Sequence, residues 1–289
     1  MITQVNGVPV RHRVVEAGDV SLHLVEAGSG PVVILIHGFP EFWYSWRHQI
    51  PALVDAGFRV IAPDLRGYNT SGKPHGVEAY KISAVAQDIA SLAAQIGEVP
   101  CAIVAHDWGG VVAWFLAMLH PQVVRKLVIL NAPHPVPFAR ELRRREQKIR
   151  SSYQLLFQPP RLPEIGMRLF RFAMLRWTLR RAARRPDNFD PAEMEIYLDA
   201  WRQQGALTGM ANYYRAVRRY RRELRAVIRP IEIPAMLIWG EKDPIFTRAT
   251  TENFSEYVPN LRIERIAEAG HFVQSDAPEK VNALLKAFL

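Results

Sequence analysis

The chain has 289 residues, 49% of them hydrophobic, a formal net charge of +9 and one cysteine. That content supports a sizeable core, and the lone Cys101 excludes an internal disulfide and suits a reducing compartment such as the cytoplasm. The longest nearly uncharged apolar run, residues 108–119, falls short of the roughly 20 residues of a membrane crossing, and residues 1–13 hold no apolar signal-peptide core.

Residues 10–16 and 20–26 are two β-prone runs around Ala17-Gly18-Asp19, a hairpin signature. Residues 31–36 form a continuous apolar run, as expected of a strand buried on both faces. Further strands are expected at 58–62, 101–105, 127–130, 235–239 and, more weakly patterned, 261–266. Helical patterns at 43–56, 82–96, 108–120, 247–258 and 278–289 lie between most of them. Strands alternating with helices imply an α/β fold, a mostly parallel sheet flanked by helices.

The alternation stops between residues 134 and 229, where helical patterns run without convincing strands. Asp190-Pro191 followed by Glu193 reads as a capped helix start. This segment holds 21 Arg and 1 Lys against 9 Asp and Glu, a net +13, while the remainder holds 15 basic and 19 acidic residues, a net −4. The basic charge is expected to be the solvated face of Arg-rich helices. A nucleic-acid or anionic-membrane surface is the competing reading, and no nucleic-acid module accompanies it. The apolar residues of 155–177 are expected to line a substrate pocket. The organisation is thus an α/β core (1–133 and 230–289) carrying an all-helical insertion (134–229).

The stretch Ala105-His-Asp-Trp-Gly109 joins a strand to a helix and puts Asp107 on the turn between small residues. An aspartate there either caps the helix or is lifted clear of the sheet as a nucleophile. His37-Gly38-Phe39-Pro40 follows the buried strand 32–36, so the N–H groups of Phe39 and Trp108 can form an oxyanion hole. Asp243, in Trp239-Gly-Glu-Lys-Asp243, and His271, in Ala269-Gly-His271, each follow a strand. Nucleophile, acid and histidine in that order is the α/β-hydrolase triad order.

On these motifs the chain resembles the α/β-hydrolase superfamily over nearly its full length. It is most similar to the epoxide hydrolases, whose nucleophile is an Asp in a His-Asp-Trp-Gly-like motif. The stretches 37–46, Asp64-Leu-Arg-Gly-Tyr68, Asn131-Ala-Pro-His-Pro135 and Gly270-His-Phe272 also match. The resemblance implies that the helical insertion is a cap, or lid, with two tyrosines that bind the epoxide oxygen. Those positions match Tyr153 and Tyr214, with Tyr213 an adjacent competitor. It further implies that His37, Pro40 and Trp43 contact substrate, that no cofactor or metal is used, and that a vicinal diol is formed. An apolar epoxide and water would be the only partners of a monomer or homodimer.

Chemistry favours an aspartate, because attack on saturated carbon by a carboxylate leaves an ester that water can cleave, whereas a serine would leave an ether. The nearest alternative is a haloalkane-type dehalogenase with the same nucleophile. Phe39 stands where those enzymes commonly place Asn. A serine esterase is disfavoured because neither Ser71 nor Ser83 sits on a strand-turn-helix, and no metal-ligand pairing occurs among the nine histidines.

Overall fold

Short apolar runs that can be covered on both faces become central strands, and here residues 32–36, 101–105 and 235–239 do. The computed structural model describes residues 2–289, with Pro186 and Asp187 described by backbone alone. A small hairpin, β1 (Gln4–Val5) and β2 (Val8–Pro9), precedes an eight-stranded sheet. Its strands are β3 (Arg11–Ala17), β4 (Val20–Ala27), β5 (Val32–Ile36), β6 (Arg59–Pro63), β7 (Cys101–His106), β8 (Val124–Leu130), β9 (Ala235–Gly240) and β10 (Leu261–Ile266). They lie in the order β10-β9-β8-β7-β5-β6-β4-β3. Pairing is parallel except where β4 meets β3 and β6. Every residue of β5, β7 and β9 is buried, as their uninterrupted apolar sequences require. Edge strand β10 instead exposes Arg262 and Ile263 and leaves Glu264 and Arg265 half-buried, and such charges on an edge discourage pairing with another sheet.

The strand order positions the site. From β5 the chain turns to β6 on one side, and β7 returns to β5 on the other, so the carboxyl ends of β5 and β7 are adjacent and open a crevice. Such a reversal is where open α/β sheets bind ligands. The loop after β5 carries residues 37–41 into it, and β7 delivers Asp107.

The helices over the sheet are α1 (Gln49–Asp55), α2 (Ile82–Ile96), α3 (Asp107–Leu119) and, at the end of the chain, Pro278–Phe288. Two expected helices are not formed as read. The pattern at 43–56 splits into a 3-10 turn, Trp43–Trp46, and α1, because Pro51 cannot lie within a helix that continues back past Arg47. The pattern at 247–258 yields only a 3-10 turn, Arg248–Thr251. There the Thr250 and Thr251 hydroxyls bond the carbonyls of Thr247 and Arg248, and Asn253 takes a φ of 55°.

Between β8 and β9 the described residues form helices and no strand. These are α4 (Pro135–Glu141), α5 (Arg145–Arg150), a 3-10 turn Ser152–Phe157, α6 (Leu162–Ala182), α7 (Pro191–Arg202), α8 (Ala206–Arg219) and α9 (Arg221–Ala226). Asp190 caps α7 by accepting the Glu193 N–H at 2.8 Å. Helix α6 is broken at Leu169–Phe172, where Phe170, Arg171 and Phe172 all have positive φ. The apolar residues of 155–177 therefore divide. Phe157, Met167, Phe172 and Leu175 are buried, whereas Leu155, Leu156, Leu162 and Phe170 face solvent, so only the inner face of this stretch is turned toward the interior.

This helical layer is seated on the core by close contacts. A Cβ on Gly209 of α8 would lie 2.5 Å from the Gly67 Cα, so the two backbones touch only because both are glycine. Buried Arg47 grips Glu193 of α7 with two hydrogen bonds of 2.7 and 2.9 Å, and the Trp201 indole donates to the Pro40 carbonyl at 2.6 Å. The paired charge matters because a lone buried guanidinium would cost several kcal/mol.

Candidate active site

Asp107 is the first residue of α3 and has a φ of 48°, a left-handed conformation rare outside glycine. Holding a non-glycine residue there costs on the order of 1–3 kcal/mol, which the surrounding packing must supply. Gly109 makes the turn possible, since a Cβ at that position would lie 2.4 Å from the His37 carbonyl oxygen. The Asp107 side chain is thus raised above the sheet end. Its Oδ1 accepts the Phe39 N–H at 2.8 Å, and its Oδ2 lies 3.5 Å from His271 Nε2. The Trp108 N–H, in the first turn of α3, has no carbonyl available to it within the helix.

On the far side of the ring, His271 Nδ1 lies 2.9 Å from Asp243 Oδ2. Asp243 is itself fixed by three donors. Its Oδ1 accepts the N–H groups of Ile245 and Phe246 at 2.6 and 3.1 Å, and its Oδ2 accepts Asn131 Nδ2 at 2.7 Å. Asn131 Oδ1 in turn accepts the Gly240 N–H at 2.9 Å, which ties the amide to the end of β9. Burial opposes charge on His271, yet Asp243 and Asp107 together outweigh it and push the imidazole up to about 10. Burial alone would raise the Asp107 carboxyl, but the His271 hydrogen bond and charge, helped by the Phe39 N–H, hold it below the usual range.

Beneath this line lies a second buried pair. His106 Nε2 donates to the His271 carbonyl at 2.9 Å, and its Nδ1 lies 2.7 Å from Glu41 Oε2. The ring is thus held from both sides, by the Glu41 carboxyl at Nδ1 and by the His271 carbonyl at Nε2. Gln274 completes it by donating to Glu41 Oε1 at 3.1 Å.

Aromatic rings from the helical layer close over Asp107. The Tyr214 ring stands edge-on to Trp108 and Phe39, with centroids 4.9 and 5.4 Å away, and stacks on Phe157 at 4.3 Å. The half-buried Tyr153 ring lies 6.0 Å from that of Tyr214. Burial pushes both phenols well up, and the Asp107 carboxylate adds to each shift, so both stay protonated donors near neutral pH. Tyr213 is spoken for elsewhere: its buried hydroxyl donates to the Arg66 carbonyl at 3.0 Å.

The structure therefore brings together Asp107, His271, Asp243, Phe39, Trp108, Tyr153 and Tyr214. It does not bring His37 and Trp43 with them. His37 Nε2 accepts the Leu65 N–H at 3.0 Å and its Nδ1 donates to the Gly38 carbonyl at 2.9 Å, so both ring nitrogens are engaged in bracing the loop. Trp43 is buried against His12, Phe42 and Tyr44, and the Pro40 carbonyl accepts the Trp201 indole of the helical layer. Sequence reasoning missed Asn131, Glu41 and His106 as site residues. The available signal was positional: Asn131 directly follows β8, and Glu41 follows the His37-Gly-Phe-Pro turn.

A family model described as alpha/beta hydrolase fold matches residues 31–278, and the chain belongs to that family and, within it, to the epoxide hydrolases. It is a hydrolase. It is 38% identical over 283 residues to an AB hydrolase superfamily protein of Bacillus subtilis (strain 168), covering 97% of this chain and 98% of that one. It is 36% identical over 275 residues to epoxide hydrolase 4 of Mus musculus, covering 92% and 76%. Among solved structures, a Bacillus megaterium epoxide hydrolase in complex with an inhibitor matches with a TM-score of 0.89 at 33% identity, covering 96% of this chain and 99% of that one. No helix among the described residues is long and apolar enough to cross a membrane.

Proposed function

We propose that this enzyme opens epoxides to vicinal diols through a covalent ester on Asp107, with residues 134–229 acting as the lid. The observation that carries the reading is a carboxylate 3.5 Å from His271, beside a Trp108 ring on which Tyr214 packs, with Tyr153 next to it. Asp107 Oδ2 attacks a ring carbon, the carbon–oxygen bond breaks, and Tyr153 and Tyr214 hydrogen-bond the alkoxide as it forms. Oδ1, held by the Phe39 N–H, becomes the ester carbonyl and is already in the oxyanion hole. Each such donor contributes roughly 3 kcal/mol to the later tetrahedral step.

The charge balance times the second step. Between two carboxylates His271 carries a proton, but alkylation makes Asp107 a neutral ester and removes one of the charges that hold it. The ring then releases its proton, which meets the need of the alkoxide, and becomes the base that activates water. Hydroxide adds to the Asp107 carbonyl carbon, and collapse frees the diol and the carboxylate. A halide leaving group would need no proton, so the paired phenols favour the epoxide over the haloalkane.

A single turnover of an aryl glycidyl ether in H2(18)O tests the route. The label should enter the Asp107 carboxylate and be absent from the first diol formed. Label in that diol would mean direct water attack and would discard the ester.

A further inference from the structure

We infer that the outer face of the lid docks on anionic phospholipid bilayers, so that the enzyme works at a membrane surface without crossing it. Eight of the eleven large apolar residues exposed among the described residues lie between Ile149 and Trp177. Leu155 and Leu156 project from the 3-10 turn Ser152–Phe157. Leu162, Ile165 and Leu169 follow at helical spacing on one side of the first half of α6. The break in α6 then presents Phe170, 81% exposed, and Trp177 beyond it is 64% exposed. The turn packs against both α5 and α6, so these residues belong to contiguous elements.

The same stretch is strongly basic. Residues 149–181 contain seven Arg and one acid, Glu164, and that acid is taken by Arg215 at 2.8 Å. Arg168, Arg180 and Arg181 are exposed with no acidic partner in their own stretch. Just beyond the turn, Arg218, Arg219, Arg221 and Arg222 line a cleft of about 570 Å³ beside Gln158.

Three occupants can be separated by chemistry. Nucleic acid would use the arginines but has no use for exposed Leu and Ile. A second copy would set two equally basic faces against each other across a two-fold axis. An anionic bilayer satisfies both features, because aliphatic and aromatic tips enter the acyl boundary while guanidinium groups stay at the headgroups. The geometry also serves the proposed chemistry, and this part rests on that reading. The turn that presents Leu155 and Leu156 outward presents Tyr153 and Phe157 inward, toward Asp107 and Tyr214. A lipophilic epoxide dissolved in the bilayer would meet the lid first.

The test is flotation of the purified full chain with vesicles of phosphatidylcholine alone or of equimolar phosphatidylcholine and phosphatidylglycerol. Binding is expected only to the anionic vesicles and should weaken as NaCl is raised. Replacing Phe170 and Trp177 by Ser should weaken it by roughly tenfold or more, as should Arg168→Gln with Arg180→Gln and Arg181→Gln. All five side chains are exposed, so melting temperature and turnover of a water-soluble epoxide should not change. Absence of anionic-vesicle binding at low salt overturns the inference, as does binding that these substitutions leave intact. Self-association that the same substitutions abolish, without vesicle binding, would instead assign the face to a dimer. Vesicle binding without any epoxide turnover would keep the docking and discard the proposed reaction.

Discussion

Replacing Asp243 by Asn separates the two chemical steps. The carboxylate lies 2.9 Å from His271 Nδ1 and also accepts Asn131 Nδ2 at 2.7 Å. An asparagine whose oxygen keeps the Ile245 and Phe246 N–H groups turns its NH2 toward both of these partners. Asn131 cannot flip to accept it without losing the Gly240 N–H. His271 Nδ1 then faces a donor, the proton moves to Nε2, and the nitrogen nearest Asp107 can no longer take a proton from water. Loss of the correct tautomer in other triads lowers turnover by about 10⁴-fold, equivalent to roughly 5.5 kcal/mol of barrier. Ring opening relies on Asp107 and the phenols, so it should survive. Rapid-quench intact mass spectrometry should show near-complete alkyl-enzyme, heavier by the mass of the epoxide, with hydrolysis slowed by about three to four orders of magnitude. Slow turnover without accumulated ester, or turnover within tenfold of the native enzyme, would refute the assignment of His271 and Asp243 to ester hydrolysis.

The adjacent tyrosines should behave oppositely. Tyr214→Phe is expected to slow ester formation by about 10–100-fold with little change in melting, whereas Tyr213→Phe should cost about 1 kcal/mol of stability through the lost Arg66 contact and leave ester formation nearly intact. Stopped-flow Trp fluorescence and thermal melts distinguish them. Gly209→Ala places a methyl group against the Gly67 backbone and should cost about 1–3 kcal/mol while moving Tyr214, so that both melting temperature and ester formation fall. An unaltered melting temperature would mean that α8 is not seated by that contact. Finally, burial lowers His134 to about 3, and its Nε2 has no partner. The unfolded chain takes up that proton near pH 6.5 and the folded chain does not, so stability should be full above about 6.5 and fall as pH drops toward 3. His134→Phe should flatten that part of the melting-temperature profile.

Much of the core is legible in the amino-acid order, because its strands are buried on both faces and therefore need unbroken apolar runs. Residues 32–36 and 82–96 form the elements expected from pattern alone, and β10 shows the weak alternation of an edge. Asp107, Asp243 and His271 are equally visible, since each stands just past a strand and the sheet brings strand ends together. Threonine-rich 247–258 misleads because helical spacing does not reveal side-chain hydroxyls competing for backbone carbonyls.

Three matters needed the folded chain. Adjacent Tyr213 and Tyr214 look interchangeable in sequence, yet they point about 100° apart around α8, and only packing sends one to Arg66 and the other to Trp108. The Asn131 support of Asp243 joins residues 112 apart, and the Glu41–His106 pair joins residues 65 apart, distances no local pattern spans. The two faces of 155–177 differ only through the contacts of the helical layer and the break in α6. The amino-acid order by itself thus determined the sheet and the side chains gathered at its strand ends, because burial and strand-end placement are written locally. Tertiary contacts decided which neighbours hold those side chains and which side of the helical layer meets the outside, because both depend on what lies across the fold.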